Sequence, residues 1–157
     1  MDKTENQLKY ENYREQFKRL NNALHSGFNL EAMFIEYAII EDRTESILRH
    51  SDKWEAYIKS RKGREPNIDS KVRYIQKLAE QKKTLPLKYY SDDLLDRILI
   101  WKEERNRLIH ALLKQQFAHN EISALAAQGK QLADELRRRS GNYNRAVERQ
   151  RAKEAQP

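Results

Sequence analysis

Apolar residues recur along this chain at intervals of three and four, separated by polar and charged positions, which is the period of an amphipathic helix. Leu8, Tyr13, Phe17, Leu20 and Leu24 predict a first helix over residues 4–24, stopped by Ser26-Gly27. Asn29 is placed to cap a second helix over 30–50, with Glu31 in its first turn. Leu30, Phe34, Tyr37, Thr44 and Leu48 form one stripe of that helix, with Met33, Ala38, Ile40 and Ile47 beside it. Glu41 falls near the middle of the stripe. An acid there either reaches water past the stripe's edge or needs a cationic or hydrogen-bonding partner.

A short helix over 52–61 leads into the loop Lys62-Gly63-Arg64-Glu65-Pro66, and Asp69 is expected to cap a helix reaching Lys83. After a break around Pro86, Ser91-Asp92-Asp93 announces the longest helix, over 91–117. Asn120 and Glu121 open another, expected to end at Ser140-Gly141. Residues 142–157 are charged, hold few large apolar side chains, and are expected to lie outside the core. The pattern predicts an all-α fold, a compact bundle of roughly four to five antiparallel helices. That bundle occupies residues 1–119, and 120–157 form a basic C-terminal helical extension and tail, partly flexible.

Composition agrees with helices. The chain has only four Gly and three Pro, and its 35% charged residues suit heavily solvated outer faces. Without cysteine it makes neither disulfides nor thiolate–metal sites. No His-rich or Asp-rich cluster has metal-ligand spacing, so no metal or other cofactor is expected. No run approaches the ~20 apolar residues of a membrane span, and the expected location is cytoplasmic, with no membrane partner.

A net charge of +7 invites a polyanionic partner. Residues 53–88 hold 11 Lys/Arg against 4 Asp/Glu, and residues 130–157 hold 8 against 4. Simple solvation of helix surfaces and contact with nucleic acid are both compatible with that excess. Trp54, Tyr57, Tyr74, Tyr89 and Tyr90 lie in or beside the first basic region, as rings on which nucleobases could stack or as core packing. His25 and His50 sit at predicted helix ends, where a cation favours the dipole, and His119 at a helix junction.

Candidate chemistry concentrates in the longest helix. Leu94, Ile98, Trp101, Leu108 and Leu112 are spaced as one buried face, and Arg105 lies on it. Asn106 and His110 are four apart, hence neighbours on the shoulder of that face, beside Leu99, Leu113 and Phe117. Histidine titrates near neutrality and can move the proton of a ribose 2′-hydroxyl or of a leaving 5′-oxygen. A planar guanidinium suits a phosphorane gathering negative charge.

The stretch Arg105-Asn106-x-x-x-His110 resembles the motif of the HEPN superfamily (higher eukaryotes and prokaryotes nucleotide-binding domains). There an Arg, often followed by Asn, is separated from a His by four to six residues, and in this chain four stand between them. The resemblance covers residues 4–117 at the level of pattern and is specific only in the hexapeptide. It implies a metal-independent endoribonuclease, often a toxin or phage-defence effector, acting as a homodimer on an RNA substrate. Two motifs would share one composite cleft, with an antitoxin such as a minimal nucleotidyltransferase as a further partner. By the resemblance His110 is the general acid or base, Arg105 the phosphate-binding cation, and Asn106 the residue orienting one of them.

Glu41 is then a candidate partner for Arg105, a role that Glu36 or Asp42 could also fill. Arg107, Lys114, Arg137, Arg138 and Arg139 are candidate phosphate contacts, and the tail is equally suited to wrapping a second subunit. Two other readings stay open at this level: a non-catalytic nucleotide-, RNA- or protein-binding module of the same fold, and a basic accessory protein whose Arg/His spacing is accidental.

Overall fold

A computed structural model describes residues 4–81 and 84–156. The described chain is all-α: α1 (Glu5–His25), α2 (Asn29–His50), α3 (Trp54–Ser60), α4 (Ile68–Ala79), α5 (Leu85–Tyr90), α6 (Leu94–Ala111) and α7 (His119–Glu154). No helix among the described residues is long and apolar enough to cross a membrane.

Local chemistry explains most boundaries. Thr4 and Gln7 form a reciprocal capping box that starts α1, and Asn67 with Ser70 does the same for α4, two residues before the expected cap Asp69. Gly27 (φ 76°) closes α1, with Phe28 N–H donating to Ala23 O and Gly27 N–H to Leu24 O. Asp52 (φ 56°) repeats this two-bond closure at the end of α2. Two boundaries differ from expectation. The helix expected to reach Lys83 ends at Ala79, and Lys83 itself lies outside the described residues. The helix expected over 91–117 runs only over α6, because after Ala111 the chain turns tightly, Lys114 and Gln115 N–H both donating to Ala111 O, to bring α7 back. No Gly or Pro marks that turn, so nothing in the pattern announced it.

The core is organised around α2 and α7, which pack along one another, with α1 on α2 and with α4, α5 and α6 closing the remaining sides. The long α7, 36 residues, continues through Ser140-Gly141 where an end was expected. Tyr143 and Val147 beyond that point join the core, Tyr143 meeting Tyr89 and Tyr90 edge-to-face. A stretch whose apolar residues are few still belongs to the core when the few fall on one face. The aromatics of the first basic region are packing as well: Tyr57 stacks against Trp54 and Tyr74, and Tyr57 and Tyr90 are buried.

The orientation of α2 departs most from the sequence reading. Its buried face is Ala32, Met33, Ile35, Glu36, Ile39, Ile40, Thr44, Ile47 and Leu48. Of the expected stripe, Thr44 and Leu48 are buried and Tyr37 half-buried, but Leu30 and Phe34 at its N-terminal end stay 44% and 69% exposed. Apolar residues cover enough of α2 to allow either face inward, and the neighbours decide between them. Glu41 points toward Lys71, whose amine lies 3.6 Å from its carboxylate and 3.2 Å from its backbone oxygen.

Where α2, α6 and α7 meet, Gly129 of α7 lies against Trp101 of α6 and Glu36 of α2. A Cβ at Gly129 would overlap Glu36 Oε2 and stand 2.6 Å from Trp101 Cζ2. Trp101 is fully buried and donates its indole N–H to Leu125 O at 2.9 Å. Gly129→Ala is therefore expected to destabilise the fold by about 1–3 kcal/mol through overpacking. Gly141→Ala in the same helix, with only Arg145 Nη1 3.9 Å away, should stabilise it by about 0.5–1 kcal/mol. Urea unfolding of the two variants checks both signs; equal shifts would mean that the three helices are not in contact at Gly129.

Candidate functional site at the α2–α6–α7 junction

Arg105 stands one turn after Trp101 on α6 and is half-buried. Its guanidinium carbon lies 4.5 Å from the centre of the Tyr37 ring, a cation–π seat, and Nη1 donates to Asn106 Oδ1 at 3.1 Å. That bond settles the Asn106 amide, since arginine only donates: the carbonyl faces Arg105 and the NH2 group is left to donate outward. His110 lies in the last turn of α6, exposed, with no hydrogen bond to its ring among the described residues. Ile109 (36% exposed) and Leu113 (101%) flank it. The structure thus gathers Arg105, Asn106 and Tyr37 into one rim and sets His110 one turn further along α6, open to solvent.

Beneath the rim lies Glu36. It is 0% exposed and neither carboxylate oxygen has a hydrogen-bond partner. Nε of Arg105 is also buried and unpartnered. The two groups feel one another electrostatically, Arg105 and Lys130 favouring the Glu36 anion and Glu36 favouring the Arg105 cation. Burial outweighs that attraction: it raises the Glu36 carboxyl from 4.5 to about 8, Lys130 and Arg105 opposing and Asp134 adding to the rise. Burial also lowers the Arg105 guanidinium from its usual value, with Tyr37 and Glu36 opposing, yet an arginine so placed remains a cation at neutral pH.

Of the acids considered for Arg105, Glu36 is the one beside it. Glu41 is taken by Lys71, and Asp42 by Tyr13, Arg43 and Lys9. The reason is geometric: Glu36 lies on the inward face of α2, whereas Glu41 lies on the flank turned toward α4. Tyr37 as the seat for Arg105 was not foreseen. An aromatic in a helix stripe reads as core, and only the crossing of α2 and α6 turns its ring toward a cation.

The basic candidates separate by what already holds them. Arg139 bridges Asp92 at 2.5 Å, Glu135 at 2.5 Å and Tyr89 O at 3.1 Å, bracing α7 against the start of α6. Arg107 pairs with Glu104 and Glu121 at 3.2 and 3.4 Å. Lys114 and Arg138 are exposed, and Arg137 lies 4.5 Å over the Phe17 ring. Among the described residues no three His, Asp or Glu side chains come together as metal ligands.

Compared with family models, with curated proteins and with solved structures, the chain finds no significant match.

A raised carboxyl pKa has a definite linkage. Between the unfolded value near 4.5 and the folded value of about 8, the folded state holds a proton that the unfolded state has released. Stability therefore falls as pH rises through that window and is least above it. Glu36→Gln, which cannot ionise, should gain stability relative to wild type between pH 5 and pH 9, by on the order of a few kcal/mol. Thermal melts across that range test it; a stability difference independent of pH would show that the carboxyl is not held protonated in the fold.

Proposed function

We propose that the protein is a HEPN-type, metal-independent endoribonuclease, a cytoplasmic toxin or phage-defence effector that works as a homodimer. One observation carries the reading: Arg105 is held at a rim by Tyr37 and Asn106, with His110 exposed one turn further along the same helix. A guanidinium with fixed orientation and spare donors binds a phosphodiester; an accessible imidazole moves protons.

The proposed reaction is transesterification. One imidazole takes the proton of the ribose 2′-hydroxyl as its oxygen attacks phosphorus. A second imidazole, protonated, gives its proton to the departing 5′-oxygen, leaving a 2′,3′-cyclic phosphate and a 5′-hydroxyl. Arg105 and the Asn106 NH2 group stabilise the negative charge gathering on the non-bridging oxygens. One chain supplies one motif, so acid and base require two chains. Ile109 and Leu113, exposed near His110 in the chain, are the kind of apolar contact a two-fold partner would cover. A neutralising antitoxin such as a minimal nucleotidyltransferase would act at this same face.

The alternative is a binding module of the same fold that does not cut. It is favoured by the His110 ring having no hydrogen bond to fix its tautomer among the described residues.

Incubating a labelled structured RNA with the protein in EDTA separates the two. Wild type should cut, leaving cyclic phosphate ends, while Arg105→Ala and His110→Ala should each lose about 100-fold or more in rate. Cleavage that EDTA abolishes, or that both variants retain, would refute the assignment. No cleavage by folded wild type free of any co-purified partner would favour the binding module.

A further inference from the structure

A second concave surface lies away from the α6 motif, where α1 crosses α2 and the C-terminal half of α7. It is a cleft of about 810 Å³ lined by Lys9, Arg14, Lys18, Arg43 and Arg137, with His50 at one end and no acidic residue. Lys9 and Arg43 share one carboxylate, Asp42, at 3.0 and 2.6 Å. No acid pairs with Arg14, Lys18 or Arg137 among the described residues, so those three keep their charge toward the cleft.

Aromatic rings alternate with these cations. Tyr10, Arg14, Phe17 and Asn21 follow at helical spacing along the lining face of α1. Tyr10 is 65% exposed, with the Arg14 guanidinium 5.9 Å over one side of its ring, and the Phe17 ring is covered more closely by Arg137 at 4.5 Å. Beneath them Asn144 is only 9% exposed and donates to Ser46 Oγ at 3.3 Å.

We propose that this cleft binds single-stranded RNA, its phosphates along Arg14, Lys18 and Arg137 and a base stacked on Tyr10. The chemistry selects a single strand: phosphate needs the cations, and an unpaired base needs the exposed ring. A duplex hides its base faces, and an acidic peptide has no use for the ring. That the strand is RNA rests on the ribonuclease reading, for which the cleft would hold a stretch of substrate away from the cut; that it is single-stranded rests on the cleft alone.

The test is fluorescence anisotropy with a labelled single-stranded RNA decamer, in an Arg105→Ala/His110→Ala background that cannot cut. Tyr10→Ala should weaken binding about tenfold. Arg14→Ala with Lys18→Ala should weaken it further and lower the slope of log affinity against log salt by about 1.4. Tyr10, Arg14 and Lys18 are exposed, so these variants should melt as the parent does. Unchanged affinity in both variants would overturn the proposal. So would equal binding of an abasic decamer, of a duplex of the same length, or no binding of the single strand at all. Because binding is read in a background that cannot cut, its outcome is independent of whether wild type cleaves RNA.

Discussion

The missing side chain at Gly129 is the constraint on which this structure turns. A helix interior disfavours glycine by about 1 kcal/mol relative to alanine, so its place in α7 needs a compensating reason. The reason is close approach: α7 comes near enough to bury the indole of Trp101 and the carboxyl of Glu36 against its backbone. That approach draws α6 and α2 together, which turns Tyr37 toward Arg105. The candidate site is thus a by-product of how tightly three helices converge.

The same convergence explains the electrostatics. The other buried charges among the described residues are answered where they stand: Lys71 by Glu41, and Lys102 by Asp69 and Glu103. Glu36 is the exception, shut in with its oxygens unpaired next to an arginine whose Nε is unpaired as well. An unanswered buried acid costs stability, and folds place such costs most often where an arrangement is needed for something besides stability. Its electrostatic interaction with Arg105 connects that cost to the site.

Cationic charge, so abundant in the composition, divides into two populations once the chain is folded. Some of it is structural cement: Arg139 ties α7 to the turn before α6, Arg151 ties its far end to Asp52 and His50 O, and Arg43 is locked with Tyr13 and Asp42. The remainder, with Arg14, Lys18 and Arg137 in one cleft, stays open to solvent. Net charge alone says that a polyanion is welcome; only the sorting of cations into braces and open contacts says where.

What the sequence by itself determined was the helical class, most helix starts and stops, and the identity of the Arg105-Asn106-x-x-x-His110 cluster. These depend on period, caps and turn residues, which act within a few positions of one another. The inward face of α2 was decided only by tertiary structure, because apolar residues lie on both sides of that helix and the neighbours choose between them. So was the membership of Tyr143 and Val147 in the core, since a sparse apolar stripe counts for little until something packs on it. The partner of Arg105 was decided the same way. Glu36, Glu41 and Asp42 lie on one short stretch of α2, and chain-local rules do not rank them. A rotation of about 100° per residue sends each toward a different neighbour, and the packing of α6 and α7 brings Arg105 to Glu36 alone.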